Sequence, residues 1–297
     1  FLLKELYLYK KGELFMNKRK SLKELNLLDK FLFDEAMDDP ENVKTMLDII
    51  LSQNTNLKQS PQTEKEQRTS TDNRQIRLDV YAIDEDDVIY EVEAQKKNTH
   101  NLPKRSRLYQ GIIDSKLLPP GVVDFNLLNE VLIVLIMPFD LFGYGLYRYT
   151  FQMKCQEIPE LKLDDGATRI FLNTKGKHPE SVSPELIELL KYMEHSTDEV
   201  SEACESKRIQ EMHRRVCQIK ASEKTEVKYM QSWEERIMIK QEGIAEGRIE
   251  GEKALLKSLI EKKMAKKYSA EQISAMLEVD VSEVENIMKE IQNEKYL

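Results

Sequence analysis

The sequence predicts a mixed α/β core followed by a helical tail, and three observations carry that prediction. Apolar residues recur at helical spacing in two early segments. Short runs rich in Val, Ile, Tyr and Phe lie between and after them. Beyond His178 the chain turns to dense charge with few aromatics. The start, "FLLKELYLYKKGELF", is interrupted by Lys4 and Glu5 and carries no small-residue cleavage site, so it does not read as a signal peptide. Because Met16 opens "MNKRKSLKEL", the first fifteen residues read as dispensable upstream sequence.

In residues 22–52 the positions Leu28, Phe31 and Leu32, then Val43, Met46, Leu47 and Ile50, predict two helices, the second with Asp39 as N-cap and Pro40 at its first position. Residues 54–73 are polar and include "KQSPQTEKEQRTSTDN", which reads as a loop. Residues 77–97, "RLDVYAIDEDDVIYEVEAQKK", read as a hairpin around the acidic run Asp84 to Asp87. A helix follows, with Leu108, Ile112, Ile113 and Leu117 as its apolar face and Pro103 near its start. "EVLIVLIMPF" is apolar on both faces, as in a strand central to a sheet. "YRYTFQMK" and "TRIFLNTK" complete the strands, on either side of a turn at Asp164, Asp165 and Gly166.

Farther on, "EGIAEGRIEGEK" places Gly243, Gly247 and Gly251 four apart, each costing about 1 kcal/mol of helix propensity relative to Ala, so this helix is either soft or packed on a partner backbone, with a solvated, repeat-prone helix of no specific duty as the favoured reading. Ser269 with Gln272 and Ser282 with Glu285 read as capping boxes for two short helices resembling half of a helix-turn-helix, for which packing or oligomerisation is favoured over base reading. The division expected is 1–21 as an N-terminal extension, 22–177 as the α/β core, 178–267 as a charged helical region with the Glu-Gly repeat, and 268–297 as a two-helix unit.

Several classes are excluded. The longest apolar run, Val131 to Met137, has seven residues, far short of the roughly 20 of a spanning helix, so no membrane role is expected. Cys155, Cys204 and Cys217 form no CxxC pair and leave an odd thiol, which points to a reducing cytoplasm. The histidines His100, His178, His195 and His213 fall in no HExxH or Cys/His motif, and neither GxGxxG nor GxxxxGK[ST] occurs, so zinc and nucleotide cofactors find no support.

The hairpin poses the chemical question, because Asp79, Glu91 and Glu93 interrupt strands that should be apolar. With an odd turn of three residues, Glu85 to Asp87, Asp84 pairs with Val88 and Asp79 falls opposite Glu93 on the same face; an even turn would separate them. Carboxylates about 5 Å apart repel and raise one pKa. A hard divalent cation, Mg²⁺ or Mn²⁺, reverses that penalty and can activate water against a phosphodiester. Acids on a solvent-facing sheet would serve solubility instead. The segment that follows favours the metal reading: from Gln95 to Lys116, six basic residues (Lys96, Lys97, Lys104, Arg105, Arg107, Lys116) face a single acid, Asp114. On a chain of net charge −8, this is a local patch suited to a phosphate backbone.

"LDVYA", "VIYEVEAQ", "LPKRSRLYQ" and "EVLIVLIMPFDLFGYGLYRYTF", between about Leu28 and Phe151, resemble the PD-(D/E)XK nuclease family transposases, also called Rpn-type recombination-promoting nucleases, bacterial proteins with a restriction-endonuclease-like mixed sheet flanked by helices. The resemblance implies a metal-dependent DNA endonuclease acting in recombination linked to mobile elements. It makes Asp79 the motif aspartate and Glu93 the first acid of the (D/E)XK element, together holding Mg²⁺ or Mn²⁺, with Glu91 ranked second. Gln95 stands where lysine is usual and would position water without supplying charge. Lys97, on the same face if the strand continues, would replace that lysine. Arg105 and Tyr109, four apart on a helix, would meet the scissile phosphate or support the metal, and Lys96, Lys104 and Arg107 would contact DNA. Two rivals stand beside this: a degenerate nuclease fold that binds DNA or protein without cutting, and a helical protein that forms a homo-oligomer through its C-terminal helices.

Overall fold

The computed structural model describes residues 19–67 and 76–294; the first fifteen residues lie outside that range. Six strands form one sheet: β1 (Gln62–Gln67), β2 (Ile76–Ile83), β3 (Ile89–Ala94), β4 (Val131–Met137), β5 (Arg148–Phe151) and β6 (Ala167–Asn173), in the order β1-β2-β3-β4-β6-β5. The pairs β1/β2, β2/β3 and β5/β6 are antiparallel, and β3/β4 and β4/β6 are parallel. The parallel step from β3 to β4 is made through α3 (Leu102–Asp114), as parallel pairing requires.

Central β4 separates two cores. Val134 and Ile136 point into one, and Val131, Ile133, Leu135 and Met137 into the other. The first core is covered by α1 (Lys30–Met37) and α2 (Pro40–Leu51). As expected, the Asp39 carboxylate caps α2, accepting from Glu41 N at 2.9 Å with Pro40 at the first position. The second core is covered by α3, whose inward residues are Leu102, Tyr109, Ile112 and Ile113. Leu108 is instead 43 % exposed, so the inward face is set by Tyr109 rather than Leu108.

Two further differences concern local structure. Part of the segment read as a loop forms β1. "QTEKEQ" has no apolar alternation because it is an edge strand held by backbone pairing to β2, with Lys65 lying over the Tyr81 ring at 3.4 Å. After Lys177 the helices α4 (Pro184–Glu194), α5 (Asp198–Glu202) and α6 (Lys207–Ala221) follow one another. Ser183, Thr197 and Ser206 cap them through the backbone N–H three residues on. Leu186, Leu189, Tyr192, Ile209, Met212 and Val216 pack into the first core. The packing therefore divides the chain at Tyr229, well after Lys177, because narrow apolar stripes within charge-dense helices belong to the main core.

The second unit begins at Met230, inside α7 (Glu223–Met264), and continues with α8 (Ala270–Leu277) and α9 (Val281–Glu294) around Ile260, Ile273, Val284 and Ile291. The Ser269–Gln272 capping box is formed as expected. At α9 the cap is Asp280, which accepts from Ser282 N, so Ser282 lies inside the helix and heads no box. A Cβ at Gly243, Gly247 or Gly251 would meet open space.

Candidate functional site

The β2–β3 turn is built by Asp84. Its carboxylate accepts from Asp86 N (3.0 Å), Val88 N (2.9 Å) and the Tyr90 hydroxyl (2.6 Å), while Asp84 N donates to Val88 O. Asp87 closes the turn at φ 62°, a conformation Asp tolerates. The turn is thus the three-residue Glu85–Asp87, the odd length that keeps the acids on one face. It pairs Ile83 with Ile89, Ala82 with Tyr90, Tyr81 with Glu91 and Val80 with Val92.

The next position in this register holds Asp79 and Glu93, and there the ladder ends: β2 continues along β1 to Ile76 while β3 continues along β4 to Ala94. The strands part at the acids. Glu91 and Glu93 stand beside Ile133 and Leu135 of β4, on the face covered by α3, which leaves Asp79 7 %, Glu91 0 % and Glu93 8 % exposed.

Two cations reach them. Lys30, at the start of α1 and 49 residues from Asp79, places its ammonium 2.5 Å from Asp79 Oδ1. Arg105 of α3 donates to Glu93 Oε1 at 2.5 Å and to Gln95 Oε1 at 2.7 Å, and its guanidinium lies 5.8 Å from the Tyr109 ring centre. Lys30 has no signal in the sequence, since nothing in its own helix indicates that it would meet a strand so distant.

Burial raises the Glu91 pKa well above the carboxylate range, with repulsion from Glu93 and Asp79 adding to it. Burial likewise lifts Glu93 to about 7, Arg105 opposing and Asp79 assisting. Burial also raises Tyr109, with Glu93 next in effect. For Lys30, burial disfavours the charge, but Asp79 and then Asp34 outweigh it and raise its pKa. Both oxygens of Glu91 and Oε2 of Glu93 are buried with no hydrogen-bond partner among the described residues. Buried carboxylate oxygens without partners are costly, and a hard cation is what such a donor set fits. Among the described residues, the His/Cys/Asp/Glu triple whose ligand atoms all lie within 4.8 Å is elsewhere, at Asp198, His213 and Cys217. Lys30 is paired with Asp79, and Arg105 with Glu93.

The remaining sequence candidates divide. The Gln95 amide is engaged by Arg105 and by the Lys97 carbonyl. Lys97 does not continue the strand face of Glu91 and Glu93, because β3 ends at Ala94 and the chain bends at Lys97. Lys96 is tied to Asp29 at the head of α1. Lys104 and Arg107 are exposed on α3. In the "PFDLFGYGLYRYTF" run, Asp140 accepts from the N–H groups of Phe142, Gly143 and Gly145 and from the Tyr149 hydroxyl, so this aspartate organises the loop after β4. No helix of the described residues is long and apolar enough to cross a membrane.

No curated protein and no solved structure matches the chain. The model of the PD-(D/E)XK nuclease family transposase matches residues 30–242, a span that opens on Lys30 and contains the whole sheet and every acid of the site. With its mixed six-strand sheet, flanking helices and splayed acidic hairpin, this chain belongs to the PD-(D/E)XK nuclease family transposases.

Proposed function

We propose that this protein is a DNA endonuclease that uses Mg²⁺ or Mn²⁺ held by Asp79 and Glu93, with Glu91 beside them, in recombination linked to mobile elements. The observation that carries the reading is the set of three buried carboxylate oxygens without partners, between a lysine and an arginine, where the hairpin strands part. A divalent ion bound there would polarise the phosphodiester and lower the pKa of a water.

The protein's own groups supply the rest. Lys30, kept protonated by Asp79, takes the place of the lysine that Gln95 lacks and orients the attacking water from α1. Arg105 brings a fixed positive charge to the phosphate undergoing substitution. The water oxygen bonds to phosphorus as the bond to one deoxyribose oxygen breaks, and that oxygen takes up a proton. Glu91, buried beside the metal ligands with its pKa raised, can hold and pass a proton. Lys104 and Arg107 face solvent, where they contact the DNA backbone. The setting is cytoplasmic, with the C-terminal helices as a homo-oligomeric contact.

One observation favours the non-cutting alternative: Lys30 and Arg105 already neutralise Asp79 and Glu93 without a metal. Incubation of supercoiled plasmid with the full chain separates the two. Cleavage that needs Mg²⁺ or Mn²⁺, stops with EDTA and is lost in Asp79→Ala supports the enzyme; DNA binding without cleavage under every metal supports the binding module.

A further inference from the structure

Although the histidines and cysteines fall in no sequence motif, Asp198, His213 and Cys217 meet in space. His213 and Cys217 are one turn apart on α6, and Asp198 opens α5. His213 Nε2 lies 2.8 Å from Asp198 Oδ1 and 3.3 Å from Cys217 Sγ, and those two atoms are 3.9 Å apart. We propose that these three residues form a Zn²⁺ site, separate from the acidic hairpin, with a water completing the coordination.

The spacing fits. Around a tetrahedral zinc with bonds of about 2.0–2.3 Å, ligand atoms stand about 3.3–3.6 Å apart, so the His213–Asp198 contact must widen by about 0.5 Å and the Asp198–Cys217 separation close by about 0.4 Å. Asp198 can give that, because its side chain is 80 % exposed.

The arrangement also argues against a Cys-His-Asp relay. In a relay the nucleophile and the acid sit on opposite ring nitrogens, whereas here Asp198 is on Nε2 and Cys217 Sγ is also nearer Nε2 (3.3 Å) than Nδ1 (3.9 Å). One ring nitrogen cannot serve two partners at once, but it can share a metal with them. The other nitrogen, Nδ1, lies 3.0 Å from the hydroxyl of Tyr192, a fully buried residue on α4. A hydrogen bond on the second nitrogen is what orients a metal-ligating histidine. The three ligands border an open pocket also lined by Ser196, Lys23 and Lys220, which gives an ion and its water access from solvent. Nitrogen, thiolate and carboxylate together suit zinc rather than magnesium. Binding releases the Cys217 proton, and it joins α5 to α6.

The test is Co²⁺ titration of the full chain, stripped of metal and held in excess Mg²⁺ so that the acidic site is occupied. The expected result is a near-ultraviolet thiolate-to-cobalt charge-transfer band that saturates at one equivalent and is displaced by Zn²⁺. Cys217→Ser should abolish the band, and Asp198→Asn should weaken affinity at least tenfold, consistent with loss of one ligand. Both positions are solvent-accessible, so these variants report even if His213→Gln fails to fold. Asp79→Asn and Cys155→Ser should leave the band unchanged. Absence of the band, or a band that survives Cys217→Ser, overturns the proposal.

Discussion

Glu93→Gln tests the electrostatics of the site on stability alone, in EDTA and without DNA. Burial lifts Glu93 from the ordinary glutamate value of 4.5 to about 7 in the folded chain. At about 1.4 kcal/mol per pKa unit, ionised Glu93 costs the fold about 3 kcal/mol. The sign follows from proton counts. Between pH 4.5 and 7 the folded chain binds more protons than the unfolded one, so stability falls as pH rises through that window, and the cost is complete above pH 7. Glutamine has no such titration. The stability of Glu93→Gln minus that of wild type should therefore climb by up to about 3 kcal/mol from pH 4.5 to pH 8. Urea unfolding followed by circular dichroism at fixed pH values measures it. Adding Mg²⁺ at pH 8 should recover much of the difference by stabilising wild type alone. A difference that stays constant across this range would show that Glu93 is not held in a buried, charge-disfavouring site.

Other consequences are equally measurable. Lys30→Met should reduce plasmid cleavage by about 10²–10⁴-fold, the range for loss of a proton-handling or water-orienting group, while Lys97→Ala stays near wild type; the reverse pattern would return the role to Lys97. Asp140→Ala removes the acceptor for three backbone N–H groups and the Tyr149 hydroxyl, and should cost about 1–3 kcal/mol by urea unfolding. Burial works against the Asp140 charge, but the Tyr149 and backbone hydrogen bonds lower its folded pKa, so this deficit should be full at neutral pH and shrink as pH falls through that lowered value. Gly247→Ala, where a Cβ meets open space, should raise helix stability by about 1 kcal/mol, seen as increased ellipticity on heating.

What the sequence made legible was whatever local chemistry decides. Asp39 and Pro40 announce the start of α2, the apolar run of β4 announces a buried strand, and the odd acidic turn fixes which face the acids share. What escaped was decided by distant partners. β1 has no apolar alternation, because its strand state is imposed by pairing with β2. Lys30 belongs to the site only once α1 lies against the sheet, and Asp198 meets His213 and Cys217 only once α5 folds back on α6. The helices after Lys177 looked separate because composition averages their charged faces with the stripes that enter the core. Asp140 was visible as part of a motif, but its duty of holding a loop needs the backbone it binds.

Whether Asp79 and Glu93 share a cation where β2 and β3 separate can be seen by anomalous diffraction from crystals grown with Mn²⁺. The expected result is a manganese peak bounded by the carboxylates of Asp79 and Glu93 beside Glu91, with Lys30 and Arg105 displaced from their direct contacts. A hairpin without manganese, in which Lys30 still grips Asp79 and Arg105 still grips Glu93 at saturating metal, would contradict it.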